Sequence, residues 1–326
     1  MRFVLDLIRP SPILSFFSEP IMLSYILRRL LWMVPVLLCV ASATFFLMHQ
    51  VPGGPFTAEK SRPPSVEEAL QRRYGLDKPV LVQYRTYLWN LLQGDLGIST
   101  RQSDRQVTEI IKDGFKVTLQ LGVLSLIVAL SVGLSLGTVA ALNRNGPLDY
   151  LSVFFSTIGA SLPSFVLSVF LIIIFAVKLH WFDIIGWGEP RKMVLPVIAL
   201  SLLPAAYLAR ISRASILEVL SQDYVRTARA KGLHERTVVL RHIIKNGMIP
   251  VLTLIGPITA NLITGSFVIE TIFSIPGIGR AFVVSVFDRD YGLIMGTTLF
   301  YTAIVVVANL VVDLLYAVVD PRIRYS

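Results

Sequence analysis

Cysteine is all but missing from this chain. Cys39 is the only one, it lies in an apolar run, and without a partner it excludes an intramolecular disulfide. Charge is scarce too: Asp, Glu, Lys and Arg make up 16% of 326 residues, where a soluble globular domain carries about a quarter. Acids are fewer than bases, 21 against 30, for a net charge of +9. The four histidines, His49, His180, His234 and His242, show no metal-ligand spacing, so no metal site is expected. No Gly-x4-Gly-Lys-Ser/Thr occurs, so the chain has no phosphate-cradling loop and ATP chemistry would have to sit on another chain. Paired carboxylates and nucleophile–base sets are absent as well, which leaves a membrane enzyme without its reactive groups.

Apolar residues are abundant. They make up 54% of the chain, the mean hydropathy is +0.68, and they come in long blocks. This pattern predicts an all-α polytopic membrane protein, because only helices or closed barrels satisfy the backbone in lipid. The cations gather at block ends and in one loop, as the positive-inside rule produces, so the positive charge does not point to nucleic acid.

Six spans are expected, near residues 30–48, 117–142, 151–177, 194–209, 248–269 and 293–319. Residues 1–29 form an N-terminal cytoplasmic or interfacial segment, broken by Pro10, Pro12 and Pro20 and a poor signal peptide; Met22 is a second candidate start. Arg28 and Arg29 before the first span argue for a cytoplasmic N-terminus, and six spans return the 320–326 tail to the same side.

Residues 49–116 then form an extracytoplasmic loop with helices of its own. One is expected to open on the capping-box pattern Ser65-Val-Glu-Glu68 and stop at Gly75; the second runs from Pro79 to near Gly94. Tyr84, Tyr87 and Trp89 on the latter suit a membrane interface, a partner face or packing within the loop.

Two spans carry small residues every fourth position: Ser125, Ala129, Gly133, Gly137 and Ala141, then Ser152, Ser156, Ala160, Ser164 and Ser168. Such ridges let helix backbones approach closely. Pro163 predicts a kink in the second of them. The fifth span, with Pro250, Pro257, Asn261, Thr264 and Gly265, is costly against lipid and is expected to face a cavity or other helices.

The most informative stretch runs from Arg210 to Pro250. It holds Arg210, Arg213, Arg226, Arg229, Lys231, Arg236, Arg241 and Lys245 against Glu218, Asp223 and Glu235. Charge alone leaves two readings, a solvated topology-setting loop or a docking surface for a soluble partner. Its centre, Tyr224-Val-Arg226-Thr227-Ala228-Arg229-Ala-Lys231-Gly232-Leu233, followed by His242, Asn246 and Pro250, resembles the coupling loop of ABC-importer permeases of the peptide and nickel branch. Where the general pattern has Glu-Ala-Ala, this chain has Arg226, Thr227 and Ala228. Four further segments carry the resemblance: Pro52–Thr57, Gly94–Gly97, Glu270–Gly279 and Asp320–Tyr325. The first and last look like the oligopeptide subgroup more than the dipeptide or nickel ones.

The resemblance implies the type I importer fold in the cytoplasmic (inner) membrane, with a core permease domain over 117–319 and a coupling loop over 210–247. It implies a second homologous permease, two ATPase subunits that bind the ATP and magnesium, and an extracytoplasmic substrate-binding protein. The helix ending at Gly232 would insert into an ATPase groove, with Ala228 passing beneath the partner's surface and Arg226, Arg229 and Lys231 offered to acids. Pro163, Asn261, Thr264, Glu270, Pro276, Gly277 and Gly279 are the expected pathway and gate residues.

Asn309, Asp313, Tyr316 and Asp320 share one face of the last span. Asp313 reads as a proton relay or a lining of the pathway, a proton-coupled transporter using either it or Glu270, or else as the structural partner of Arg210 or Arg213. The depth of Asp313 near the basic end favours the structural pair.

Overall fold

Two long helices lie side by side at the centre of the molecule because their facing surfaces carry almost no side chain. α4 (Val107–Leu142) and α7 (Pro190–Leu220) make the most extensive helix contact, and the first small-residue ridge is the seam. Ser125, Ala129, Gly133, Gly137 and Ala141 are all buried. A methyl group on Gly133 would stand 2.7 Å from the Ala205 carbonyl oxygen, and one on Gly137 would stand 2.5 Å from that of Ala209. Gly137→Leu forces bulk between two backbones, overpacking worth about 3 kcal/mol or more. We expect the folded fraction in detergent to collapse, read by gel filtration and thermal melting. A wild-type profile would mean that the two helices are not in backbone contact.

The computed structural model describes residues 20–51, 54, 64–102 and 105–319. The 1–19 stretch, most of the Pro52–Thr57 motif and the Asp320–Tyr325 motif lie outside the described residues, as does the side chain of Tyr316. Among the described residues five helical stretches are long and apolar enough to cross a membrane: Ile26–Gln50, the final part of α1 (Pro20–Gln50), then α4, α7, Ile249–Ile272 and Tyr291–Leu314. A broken pair, α5 (Pro147–Ser161) and α6 (Ser164–Leu171, continued by a π-helical turn Ile172–Lys178), makes a sixth crossing if it counts as one.

Several boundaries differ from expectation. α4 begins at Val107, ten residues before the apolar run, because the amphipathic Val107–Lys116 turns continue the helix outward; Val107, Ile110 and Ile111 bury one side of it. α7 does not end at Ala209 but runs on to Leu220, taking Arg210 and Arg213 out of the loop; Pro196 and Pro204 leave it unbroken. The expected kink at Pro163 is a 110° break, since proline removes the amide that would continue the ladder. That break interrupts the second ridge. Ser152, Ser156 and Ser168 are buried, whereas Ala160 and Ser164 are half-buried.

The 49–116 region is built as two short helices, α2 (Pro64–Arg73) and α3 (Val80–Leu92). Ser65 lies inside α2 rather than capping it, because Pro64 already takes the first helical position. α2 and α3 stop at Gly75 and Gly94 as expected. Tyr84 and Tyr87 pack on α1: the Tyr84 hydroxyl lies 2.5 Å from Ser42 Oγ, its ring is tilted against Phe45, and the Tyr87 ring stacks on Phe45. Trp89 remains exposed. Asp290, buried to 1%, fastens this region to the last helix by accepting from Ser99 Oγ and from the Thr100 and Leu293 amides at 3.1 and 3.2 Å.

The rest of the chain completes the bundle. α8 (Asp223–Ala230) is followed by a helical run of Glu235–Thr237, a π-helical Val238–Ile244 and Lys245–Gly247. α9 (Ile249–Thr264) and α10 (Phe267–Ile272) are separated at Gly265; α11 (Ile278–Asp288) and α12 (Tyr291–Val319) end the described chain.

Candidate functional site

The basic stretch folds into a short helix packed at the ends of α4 and α7. Val225 and Ala228, three residues apart, are buried at 0% and 5% and join Ala141, Ile216, Val238 and Ile243 in one apolar cluster. The other side of α8 is open, with Tyr224, Arg226, Thr227, Lys231 and Leu233 exposed. α8 ends where Leu233 N–H donates to the Ala228 carbonyl and Gly232 N–H to that of Arg229. This closure needs a left-handed residue, and Gly232 supplies it with φ +75°. His234 then starts the next turn by accepting from the Arg236 amide at 3.2 Å.

Three expectations change here. Ala228, expected beneath a partner's surface, is buried at 5% against its own chain, where it seats α8 on the bundle. Tyr224 is anchored, its hydroxyl accepting from Asn246 Nδ2 at 3.1 Å, which accounts for that asparagine in the motif. The cations are not equally available. Arg229 grips Glu235 at 2.7 and 3.2 Å and holds its carboxyl below the usual range, and Arg226 lies 3.8 Å from Asp223. Both pairs are exposed, so each contributes little to stability. Among the described residues Lys231 has no acid partner.

A second constellation lies at the opposite end. The sequence places Glu270 as an outer charge lining a gate, yet it is fully buried. Thr118 Oγ1 donates to Glu270 Oε1 at 2.9 Å and accepts from the Ile278 amide at 3.0 Å. Glu270 Oε2 accepts from the Arg280 amide at 3.1 Å, and the Gly279 amide donates to the same carboxyl. The Arg280 side chain turns away to the Ser274 carbonyl at 3.2 Å, so neutral donors hold the carboxyl. The glycines make room for it: a methyl on Gly277 would stand 2.6 Å from Thr118 Oγ1, and one on Gly279 or Gly265 2.8 Å from a Glu270 oxygen. Glu270, Gly277 and Gly279 are therefore one knot tying α4, α10 and α11 together.

The other expected pathway residues do not join this knot. Pro276 is exposed beside it, Asn261 is exposed on α9, Thr264 returns its hydroxyl to the Ala260 carbonyl, and Pro163 marks the α5–α6 break.

The intramembrane acid has a different partner from the one expected. Asp313 pairs with Arg29 of α1. Arg213 is taken by Asp149, which it holds through two hydrogen bonds of 2.6 and 2.8 Å. Spacing along one helix finds an acid's depth but not its neighbour, and α1 happens to pack against α12. Asn309 lines a hollow beside Arg28 and Arg29. Asp313→Asn removes the carboxylate that half-buried Arg29 pairs with, and we expect a lower melting temperature that the double exchange Arg29→Asp/Asp313→Arg partly restores. Rescue by an exchange at Arg213 instead, or normal folding with altered pH dependence of uptake, would contradict this pairing. Thr118, Asp149 and Asp290 do not stand out in the sequence. Of these only Asp149 leaves a signal there, as an acid in a first helical turn beside Arg144.

Together, the helical spans, the seated basic helix and the broken helix define a polytopic helical membrane protein. Solved ABC importer structures agree on the fold. "Inward facing conformations of the MetNI methionine ABC transporter" aligns with TM-score 0.54 and 18% identity over 65% of this chain and 97% of that one. "Crystal structure of an amino acid ABC transporter with histidines" aligns with TM-score 0.52 and 19% identity over 66% and 95%. The chain belongs to the family described as binding-protein-dependent transport system inner membrane component, which matches residues 133–325, with that family's N-terminal region matching 22–122. It is 43% identical over 306 residues to the oligopeptide transport system permease protein OppB of Escherichia coli, covering 93% of this chain and all of that one. It is 42% identical over 303 residues to the dipeptide transport system permease protein DppB of Bacillus subtilis, covering 93% and 98%.

Proposed function

We propose that this chain is one membrane subunit of an ATP-driven peptide importer and that α8 is where ATP-hydrolysing partners engage it. One observation carries the reading: α8 is anchored beneath by Val225 and Ala228 on the ends of two long spans, while Arg226, Thr227, Lys231, Gly232 and Leu233 stay exposed. A solvated topology-setting loop needs no such seating. The relatives named for oligopeptide and dipeptide transport stand at 43% and 42% identity, which supports peptides as the cargo without separating short from long.

The full assembly has a second homologous permease, two ATPase subunits holding ATP and magnesium, and an extracytoplasmic binding protein that selects the peptide. This chain binds no cofactor and hydrolyses nothing itself. On this reading α8 and both termini are cytoplasmic, which the concentration of cations in the basic stretch supports. Substituting Arg226 and Lys231 by glutamate reverses two exposed charges without touching the buried side of α8. In proteoliposomes we expect peptide-stimulated ATP hydrolysis to fall about tenfold or more, as loss of charge-assisted contacts implies. Full stimulation would mean that the partners bind elsewhere.

A further inference from the structure

The two halves of the broken helix belong to different packing units. α5 lies with the coupling end: Ser152 Oγ donates to the Leu136 carbonyl at 2.9 Å, and Gly159 faces Ala206 and Leu202. At its first turn Asp149, only 3% exposed, takes the two-pronged grip of Arg213 and accepts from the Asn145 amide at 3.0 Å. Arg213 precedes by one turn Ile216, which carries the apolar cluster under α8. α6 and its π turn pack on other turns of the same two long helices, at Leu121 of α4 and Leu195, Val197 and Ala199 of α7. Leu171, Ile172, Phe175 and Ala176 pack with Ile269, Phe273 and Ile275, the segment leading into Pro276–Gly279.

We propose that Asp149 and Arg213 are the positioning pair that makes α5 follow α8, with Leu162–Pro163 as the hinge about which α5 swings relative to α6. This rests on the coupling role of α8. A fork of two hydrogen bonds on a buried carboxylate resists slipping. Displacing it breaks both bonds and strands a carboxylate with almost no exposure to water, so α5 and the adjacent turns of α7 move together. Relative motion is instead absorbed where the backbone is already interrupted. Pro163 interrupts it between α5 and α6. Pro204, which has no amide to give the Leu200 carbonyl, weakens α7 between the two units. Motion imposed on α8 thus reaches α5 intact, and the hinge lets the Phe273–Gly279 segment respond with a different displacement.

The test places spin labels pairwise at Thr227, Phe154 and Phe170, all exposed, after Cys39→Ser removes the one native thiol. In the assembled transporter the Thr227–Phe154 distance should stay constant between nucleotide-free and ATP-trapped states while Phe154–Phe170 changes. A constant Phe154–Phe170 distance, or a changing Thr227–Phe154 distance, overturns the proposal. Asp149→Asn should leave the ATPase subunits bound yet lower peptides imported per ATP by about tenfold or more. The exchange Asp149→Arg/Arg213→Asp should restore the ratio. Unchanged import per ATP in Asp149→Asn overturns the proposal, and if that variant does not assemble the label distances decide alone. Gly232→Val separates the two readings. If α8 is not the ATPase contact, it keeps the nucleotide-dependent distance changes. If only the pair is misassigned, it loses them while Asp149→Asn imports normally.

Discussion

Glu270→Ala should cost the protein its fold. The carboxyl accepts from Thr118 Oγ1 and the Arg280 and Gly279 amides in a site with no exposure. Each donor left without an acceptor costs about 1–3 kcal/mol, so the sum is on the order of 5 kcal/mol. Folded proteins have only about 5–15 kcal/mol in hand. The expected result is little monodisperse protein and a lower melting temperature. Glu270→Gln should be intermediate: its oxygen can still face the two amides, but its NH2 faces Thr118 Oγ1, whose own O–H then loses the oxygen it donates to. A wild-type melting temperature for Glu270→Ala would show that the knot holds nothing together. Should Glu270→Gln assemble, it should also transport peptide with unaltered pH dependence, because the knot makes this acid a fastener. A lost pH dependence would instead support proton coupling.

The second large effect concerns coupling. Gly232 sits at φ +75°, and a methyl group added there would meet nothing within 4 Å, so only the backbone conformation opposes substitution. A left-handed conformation costs an ordinary residue about 1–2 kcal/mol and a β-branched one more, whereas asparagine tolerates it. The series Gly232→Asn, →Ala, →Val should therefore reduce peptide-stimulated ATP hydrolysis in that order, with valine close to the unstimulated rate. Membrane insertion should be unchanged across the series, since no span is touched. If the three variants are ranked by side-chain size instead, with asparagine worse than alanine, crowding by a partner would replace backbone strain as the cause.

These two sites differ in how visible they are in the chain. Gly232 is legible because helix termination is local: a run of helix formers, then glycine, is the chemistry of a left-handed cap. The α4 ridge is legible for a similar reason, since a repeat of four puts small residues on one face whatever the neighbour. The same logic misplaces Ala228. Its spacing from Val225 is visible, but which body it faces depends on α4 and α7 lying beneath it. The length of α7 is hidden because Arg210 and Arg213 read as loop residues until Asp149 appears as the partner of one of them.

The sequence by itself determined the number and rough extent of the apolar spans, their charge asymmetry, the helix ends at Gly75, Gly94 and Gly232, and the break at Pro163. All of these follow from solvation and backbone sterics within a few residues. Only the tertiary structure decided which acid meets which base and which small residue meets which backbone. Arg29 with Asp313, Arg213 with Asp149, and Thr118 with Glu270 are 284, 64 and 152 positions apart in sequence. Such pairings are set by which helices pack together, and a carboxylate buried away from water must find its donors there.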